Sequence, residues 1–253
     1  MRPMDRFTTQ DSRMLLMFDA DDTLWENNIY FEQAFDDFVA FLNHEHLTAA
    51  EIQDLMLEIE RSNVQSHGYG ARSYANSLRQ AFKHICDVND DDPDLVDVEQ
   101  LALRILTQEF ELLPNVEETL RSLRSQHQTV MVTKGHHDEQ SAKVARSGIA
   151  DLFDDVVIVP EKSPATYEAV VTTHGHPPSS SWMIGNSPRS DINPALLAGM
   201  NAVFIPHPHT WQLEIEDVVV PLDAPGTLLE LPTFARLVEH FGPKPGSATK
   251  DAR

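Results

Sequence analysis

Three carboxylates fall within four positions of the segment LMFDADDTLW, which covers residues 16–25. Asp19, Asp21 and Asp22 directly follow a short apolar run. Like charges at this spacing repel one another, and a carboxylate at the end of a buried strand loses part of its hydration. Such a cluster predicts either a compensating cation beside it or a solvated loop.

Further polar side chains follow other apolar runs of the chain. Thr133 ends one run in VMVTKG, where Lys134 is its neighbour, and Lys162 follows another in VPEKSP. Asn186 and Asp191 follow a third run in MIGNSPRSDI. Ligands of open parallel sheets bind at the carboxyl ends of the strands. If these runs are such strands, the polar residues meet the acidic cluster at one edge, where a cation and a lysine make it tolerable.

Short, nearly continuous apolar runs predict strands that are covered on both faces. They cover residues 14–18, 129–133, 156–159, 182–185 and 202–205. Helical patterns between the later runs cover residues 139–147, 164–173 and 192–198. Strands that alternate with helices at this spacing predict an α/β fold, a parallel Rossmann-like sheet core with right-handed crossovers.

The interval between the first two predicted strands contains only helical patterns. Apolar residues recur there at spacings of three and four in four stretches, and Thr48 with Glu51 forms a capping box. Because about four helices exceed a simple crossover, they predict a helical cap inserted over the sheet. We therefore assign residues 1–26 and 114–242 to the core domain, residues 27–113 to the cap, and residues 243–253 to a disordered polar tail.

Composition limits the classes of function. The 253 residues are 41% hydrophobic and 23% charged, as in an ordinary globular protein. The net charge of -21 argues against nucleic acid and anionic membrane surfaces as partners, while a small phosphorylated ligand stays open. The single cysteine, Cys86, leaves no disulfide framework and no cysteine-based zinc site. No apolar run has the length of a membrane span or signal peptide, so we expect a cytoplasmic enzyme, as a monomer or homodimer.

The order of these motifs resembles the haloacid dehalogenase-like hydrolase superfamily, whose members are mostly magnesium-dependent phosphatases. DADDT fits the Asp-x-Asp-x-Thr box of that superfamily, and a Thr, a Lys and an Asx-x4-Asp pair follow in the family's order. The predicted cap lies where the superfamily places its first type of cap, the C1 cap. The resemblance covers the segments from Asp19 to Asp191 and implies a Mg²⁺-dependent hydrolase of small-molecule phosphomonoesters.

The resemblance also implies the catalytic roles. Asp19 would be the nucleophile that forms an aspartyl-phosphate. Asp21 would protonate the leaving oxygen and then take a proton from the attacking water. Thr133 and Lys162 would hold the transferring phosphoryl oxygens. Lys162 occupies the family's third-motif position, so Lys134 is the second candidate and is expected to bind substrate or face the cap.

Four positions are implied for the metal. Mg²⁺ prefers oxygen ligands, and the resemblance assigns it the Asp19 carboxylate, the Asp21 main-chain carbonyl and the side chain of Asn186. Asp191 would support a metal-bound water or Lys162. The departure from the family is Asn186, where an acid is usual, because an amide oxygen brings no charge. We therefore expect weaker metal affinity than in the family's common form.

Two loops are further candidates for substrate contacts. In SHGYGARSY, residues 66–74, two glycines flank Tyr69, and Arg72 offers an anion-binding side chain. This segment predicts either a loop that closes on the substrate or a plain interhelical turn. His207 and His209 in PHPHTW suggest a metal site, but without a visible third ligand the segment is better explained as a pocket-rim loop.

Several other functions stay open on the sequence. A phosphomutase or phosphotransferase would pass the group of the phosphoaspartate to a second hydroxyl. A haloacid dehalogenase displaces halide and needs neither Asp21 nor a metal. A signalling receiver is disfavoured, because Asp19 lies near the start of the chain and a cap follows it. A catalytically silent phosphate-binding protein would be expected to lack Asp19, Asp21 or Lys162, and all are present.

Overall fold

A parallel sheet forms the centre of the computed structural model, which describes residues 13–109, 111–222 and 226–243. Its six strands within those ranges are β1 (Leu15–Phe18), β2 (Gln128–Lys134), β3 (Asp155–Val159), β4 (Ser181–Gly185), β5 (Asn201–Phe204) and β6 (Leu228–Glu230). The first five confirm the predicted strands, with every end within one residue. β6 was not predicted. Nearly all of the predicted disordered tail, residues 244–253, lies outside the described part of the chain.

Helices cover the sheet and form the predicted insertion. Between β1 and β2 lie α1 (Asn28–Leu42), α2 (Ala49–His67), α3 (Ala71–Cys86) and α4 (Asp94–Leu103). The remaining α-helices of the described residues are α5 (Val116–Arg124), α6 (His137–Arg146), α7 (Pro164–Thr173), α8 (Asn193–Leu197) and α9 (Leu237–Phe241). α6, α7 and α8 confirm predictions, whereas α5 and α9 were not predicted. The α/β fold with a parallel Rossmann-like core and an inserted helical cap is thus confirmed; the residue bounds of the two domains stay a prediction.

Both faces of the sheet are buried, which explains the continuous apolar runs. Successive residues of a strand point to opposite faces. Leu15 and Met17 pack with side chains of α7 and α8, while Leu16 and Phe18 pack with side chains of α5 and α9. The helices of the insertion have a separate core, centred on the fully buried Phe38. The hydrophobic core of the cap therefore contains no side chain from the sheet strands.

The strand order places a crevice at the end of β1. The order is β3-β2-β1-β4-β5-β6, and all pairs are parallel. The chain builds outward from β1 to β3 on one side and then returns to add β4 on the other side. The connections therefore leave β1 and β4 in opposite directions, which opens a ligand crevice at their carboxyl ends.

The two chain segments that join sheet and cap run side by side. Glu26 N donates to Glu111 O at 3.0 Å, and Leu113 N donates to Leu24 O at 2.9 Å. The buried Trp25 forms an antiparallel bridge with Leu112 between these hydrogen bonds. The turn that carries the acidic cluster is closed beside this pairing. Leu24 N donates to Ala20 O at 2.8 Å, and Asp22 N donates to Trp25 O at 2.8 Å.

Asp22 stabilises the start of α1 from within that turn. Its backbone has a positive φ of 61°, and its carboxylate accepts the N–H groups of Asn27 and Asn28 at 2.9 and 3.0 Å. These are donors that a helix leaves unpaired at its beginning. Asp22 therefore has a structural role in the turn and at the start of α1.

The predicted capping box at α2 is present. Thr48 Oγ1 accepts from Glu51 N at 3.3 Å, and Glu51 Oε2 accepts from Thr48 N at 2.8 Å. α2 contributes to the cap core through Ile52 and Met56. Among the described helices, none combines the length and the apolar character needed to cross a membrane.

We predict that Thr48→Ala lowers the free energy of unfolding by about 1 kcal/mol, because the main-chain N–H of Glu51 loses its acceptor and the Glu51 carboxylate loses the hydroxyl that orients it. Denaturant titration monitored by circular dichroism measures this change. Thr172→Ala is the control, since its exposed hydroxyl only returns to the backbone oxygen of Glu168. Equal effects of the two substitutions would contradict the capping account.

Candidate active site

A buried lysine holds two carboxylates together at the carboxyl edge of the sheet. Lys162 Nζ donates to Asp19 Oδ1 and, at 2.7 Å, to Asp191 Oδ1. The side chains of Lys162 and Asp191 are 2% and 1% exposed. Burial raises the pKa of Asp19 to about 7; Lys162 opposes this rise and Asp191 adds to it. Because an unpaired buried charge is costly, Lys162 is what allows the two carboxylates to lie side by side.

The position of Asp191 depends on a glycine at the end of β4. A Cβ atom on Gly185 would lie 2.2 Å from Asp191 Oδ2, so only glycine leaves room for this carboxylate. That same oxygen accepts from Ser187 N at 3.0 Å. Both oxygens of Asp191 therefore have protein partners. This favours the predicted support of Lys162 over the predicted contact with a metal-bound water.

Asn186 turns its oxygen toward Asp19. Thr210 Oγ1 donates to His207 O at 3.0 Å and must therefore accept from Asn186 Nδ2, also at 3.0 Å. That contact fixes the amide orientation, because the nitrogen is committed to Thr210. Asn186 Oδ1 then lies 3.3 Å from Thr23 Oγ1, which is also 3.0 Å from Asp19 Oδ2.

This donor set fits a hard cation. The single hydroxyl proton of Thr23 is shared by two oxygen acceptors, Asp19 Oδ2 and Asn186 Oδ1, so one of them is under-satisfied at any moment. Carboxylate and amide oxygens are the ligands that Mg²⁺ prefers. Of the predicted metal positions, the structure brings Asp19, Asp21 and Asn186 to one cavity, and Asp191 lies beside them.

Asp21 is held at the cavity wall by three donors. Lys143 Nζ lies 2.9 Å from both carboxylate oxygens, Gln140 Nε2 donates at 3.0 Å and Trp25 Nε1 at 2.7 Å. Burial raises the pKa of Asp21, but Lys143 and these hydrogen bonds outweigh burial and lower it overall. The second aspartate of the acidic cluster is therefore an ordered anion with its own lysine.

Thr133 is connected to Asp21 through one side chain. Its buried Oγ1 donates to Gln140 Oε1 at 3.1 Å, and the other end of the Gln140 amide donates to Asp21. Thr133 lines the same cavity as Asp19 and Lys162. The structure thus brings together the four residues predicted as catalytic.

Lys134 lies in the cavity but away from Asp19. Its ammonium donates to Glu214 Oε1 at 2.6 Å and to Ser190 Oγ at 2.7 Å, and it lies 4.0 Å from the centre of the Tyr69 ring. Tyr69 OH donates to Glu161 Oε2 at 2.6 Å. The expectation that Lys134 faces the cap agrees with its contact to this loop between α2 and α3.

The structure does not bring Arg72 to the cavity that contains Asp19. Its guanidinium donates to Glu139 Oε1 at 2.8 Å, and Glu139 Oε2 accepts the main-chain N–H of Ala71 at 2.9 Å. The contact ties the start of α3 to α6. Substrate binding by Arg72, predicted from the sequence, has no support in this geometry, whereas Tyr69 and both flanking glycines do line the cavity.

The two histidines of the predicted rim loop have different carboxylate partners. His209 Nδ1 lies 2.7 Å from Glu32 Oε2. His207 Nδ1 accepts from His209 N at 3.3 Å, and its Nε2 lies 3.4 Å from Glu26 Oε2. Asp22, Glu26 and His207 place possible ligand atoms within 4.8 Å of one another, a carboxylate and histidine group beside the main site. Burial lowers the pKa of His207, so its ring is predominantly neutral near pH 7.

Several residues of the site were not predicted. Gln140 and Lys143 lie three residues apart on one face of α6, which begins directly after β2. Their spacing and their position after a strand could have indicated from the sequence that they face the site. Glu214 and Trp211 lie on the segment after β5. No periodicity indicates where such a loop returns to the cavity, so the sequence contained no comparable signal for them.

A comparison with protein families agrees with this geometry. The sequence profile described as haloacid dehalogenase-like hydrolase matches residues 14–199, which is more than half of the 253-residue chain. The chain belongs to this family. The predicted resemblance is thereby confirmed, and the protein is a member of a hydrolase family. No curated protein sequence matches the chain.

Solved structures of the same fold include proteins of different activity. A haloacid dehalogenase-like family hydrolase from Xanthomonas campestris shares 28% identity and a TM-score of 0.77, over 92% of this chain and 94% of the other. A predicted phosphoglycolate phosphatase from Haemophilus somnus shares 19% identity and a TM-score of 0.57, over 91% and 99%. The L-2-haloacid dehalogenase from Xanthobacter autotrophicus shares 17% identity and a TM-score of 0.57, over 90% and 97%. The last two likenesses extend to the fold alone.

We predict that Asn186→Asp tightens Mg²⁺ binding about tenfold, because it adds one negative charge to an oxygen position beside Asp19. Calorimetric titration of Mg²⁺ measures the dissociation constant directly. The exposed Asn115, which does not line the cavity, offers the matched control Asn115→Asp. Unchanged affinity in Asn186→Asp would show that this side chain is not a ligand.

Proposed function

We propose that this protein is a Mg²⁺-dependent hydrolase of small-molecule phosphomonoesters and acts through an aspartyl-phosphate on Asp19. The observation that carries the proposal is the second aspartate. Asp21 lies in the same cavity as Asp19 and is held there by Lys143, Gln140 and Trp25. A group fixed in this way supports proton transfer, which the departure of an alkoxide requires.

The proposed first step transfers the phosphoryl group to the protein. A carboxylate oxygen of Asp19 attacks phosphorus, the bond from phosphorus to the ester oxygen breaks, and Asp21 gives its proton to that oxygen. Asp21 is anionic beforehand, because Lys143 lowers its pKa. A phosphate dianion placed beside Asp19 would raise the pKa of Asp21, since a nearby like charge disfavours the ionised form. Asp21 would then take up a proton from solvent when the substrate binds, and it is this proton that passes to the leaving oxygen.

The proposed second step releases phosphate. Asp21 takes a proton from water, the water oxygen attacks phosphorus, and the bond to Asp19 breaks. The low pKa of Asp21 in the free protein suits a base that must be ionised at this stage. Lys162 and Thr133 would hold the phosphoryl oxygens in both steps, because both lie in the cavity wall around Asp19.

Asp19, Asn186 and the main-chain carbonyl of Asp21 would hold Mg²⁺. The ion would supply charge neutralisation at the phosphoryl oxygens, which is the principal demand of this chemistry. The protein's own contribution is the orientation of these oxygens. Thr23 and Thr210 set the direction of the Asn186 amide, and Lys162 sets that of the Asp19 carboxylate.

Haloacid dehalogenation is the rival activity within the family. Halide leaves without a proton, so that reaction has no use for an ordered second aspartate. The contacts of Asp21 therefore favour the phosphatase. A phosphotransferase would share the first step and differ only in the acceptor of the phosphoryl group.

We predict that the wild-type protein hydrolyses members of a panel of phosphomonoesters in the presence of Mg²⁺ and that Asp19→Asn abolishes this activity. The panel includes a generic aryl phosphate and a 2-haloacid. Rapid acid quench followed by peptide mass spectrometry should find phosphate on the wild-type peptide that contains Asp19. Halide release without phosphate release would overturn the proposal in favour of a dehalogenase, and no turnover in the whole panel would overturn the claim of an enzyme.

We predict that Asp21→Asn lowers kcat for alkyl phosphates by about 10²- to 10⁴-fold. The loss should be much smaller for aryl phosphates, because an aryloxide leaves without a proton. Steady-state kinetics on both ester types measures this difference. Asp151→Asn, at an exposed position outside the cavity, is the matched control. An equal loss for both ester types would indicate a structural role instead.

A further inference from the structure

The cavity is larger than the phosphate site. It has a volume of about 590 Å³ and extends from the sheet edge to α1, α2 and α3. That volume lies in the range of small-molecule sites and leaves space for an organic group beyond the phosphate. The side of the cavity formed by the cap should therefore recognise the alcohol part of the substrate.

Aromatic rings form much of that side. Phe31, Phe35 and Tyr74 come from the cap helices, Tyr69 from the loop between α2 and α3, and Trp211 from the core. Phe31 and Tyr74 meet edge to face at 5.2 Å between ring centres, and Tyr69 and Trp211 do so at 6.2 Å. Aromatic faces attract cations as well as apolar groups, and the Tyr69 ring already has the Lys134 ammonium 4.0 Å from its centre. The rings of the cap helices are therefore the faces open to a ligand.

The charged residues on the cap side are acidic. Glu32, Asp36 and Glu60 line the cavity from α1 and α2. Among the described cap residues, no lysine, arginine or histidine lines it, and Arg72 pairs with Glu139 instead. Glu32 Oε2 lies 2.7 Å from His209 Nδ1, whereas Asp36 and Glu60 belong to none of the ion pairs of the described residues. A leaving group with a carboxylate or a second phosphate would thus meet like charges beside Asp36 and Glu60.

The lysines that line the cavity belong to the core and already have carboxylate partners. Lys162 pairs with Asp19 and Asp191, Lys134 with Glu214, and Lys143 with Asp21. Lys162 and Lys143 lie at the phosphate end of the cavity, whereas Lys134, which contacts Tyr69 of the cap, has its charge balanced by Glu214. The three lysines do not neutralise the acids of the cap.

Glu60 differs from the other acids of the cap that line the cavity, because it is buried. Its side chain is buried, and its Oε2 accepts only from a neutral donor, Trp211 Nε1 at 2.9 Å. The ion pairs of the described residues do not include it. Burial raises the pKa of Glu60 to about 7, and the Trp211 N–H opposes that rise. A buried carboxylate without a cation is costly to maintain unless a ligand supplies the charge.

We propose that the substrates are phosphomonoesters of cationic alcohols, with the ammonium group held between Glu60 and the aromatic faces of the cap. This inference rests on the proposed phosphatase function and adds the class of leaving group. It predicts preference for an amine or quaternary ammonium over an uncharged group of the same shape, and rejection of anionic leaving groups such as that of phosphoglycolate.

The test compares phosphocholine with its uncharged isostere, in which a tert-butyl group replaces the trimethylammonium group. We expect kcat/KM for phosphocholine to exceed that for the isostere by about tenfold or more, because the aromatic faces and a carboxylate both favour the cation. Phosphoglycolate should be the poorest of the three. Equal values for phosphocholine and the isostere, or a preference for phosphoglycolate, would overturn the inference.

Glu60→Gln separates charge from shape at this position. The amide oxygen of glutamine can still accept from Trp211 Nε1, so the fold should be retained, which circular dichroism checks. We expect KM for phosphocholine to rise about tenfold with kcat nearly unchanged, and KM for the isostere to stay the same. Glu58→Gln on the exposed side of α2 is the matched control. If Glu60→Gln fails to fold, the comparison of substrates in the wild type still decides.

Failure of this inference and failure of the phosphatase proposal give different results. If the protein hydrolyses a generic aryl phosphate but does not prefer phosphocholine to its isostere, the proposed class of leaving group is rejected. The proposed phosphatase activity is then retained. If no ester is hydrolysed, calorimetric titration can report equilibrium binding of phosphocholine and its isostere. Tighter binding of phosphocholine supports a cation site in that case, and equal binding rejects it.

Discussion

The ion triad of Lys162, Asp19 and Asp191 is the interaction on which the site depends. Two buried carboxylates beside each other are tolerable only with a cation between them, and removal of one partner from such a group typically costs about 3–5 kcal/mol. Lys162 follows β3, while Asp19 follows β1, and β2 lies between them. Because neighbouring strands are about 4.8 Å apart, a long side chain is needed to reach across.

The same constraint acts on the residues around the triad. Asp191 must come close to the end of β4, which is possible because Gly185 has no side chain. Asn186, the next residue, is left on the other side of Asp19 with its oxygen directed toward Thr23. The acidic cluster of the opening segment is thus divided among different partners: Lys162 for Asp19, Lys143 for Asp21 and the start of α1 for Asp22.

The sheet and the place of the candidate site could be predicted because burial on both faces produces continuous apolar runs. β6 escaped prediction because its three residues form an edge strand that is only partly buried. α5 was readable in principle, since its buried Val116, Leu120 and Leu123 recur at spacings of four and three. The helices of the insertion were predictable because their own core imposes the same periodicity.

What the sequence could not indicate was the direction of polar side chains at the contact between cap and core. Arg72 was expected in the cavity, yet it pairs with Glu139, which lies 67 positions away. Gln140 could equally have faced solvent, because the sequence does not indicate which residue a polar side chain on a helix contacts. Such choices depend on how two parts with separate hydrophobic cores meet, and periodicity describes only each part alone.

The charge of the cavity provides an independent argument for a metal. Eight carboxyl groups and three lysines line it. Burial raises the pKa of Asp22 to about 8 and that of Glu60 to about 7, so some of these groups bind protons near neutrality. Even so, every lysine is paired with a carboxylate. A phosphate dianion would enter a cavity without spare positive charge, and like-charge repulsion would oppose it. A divalent cation beside Asp19 and Asn186 would supply the missing charge where the proposed substrate places its phosphorus.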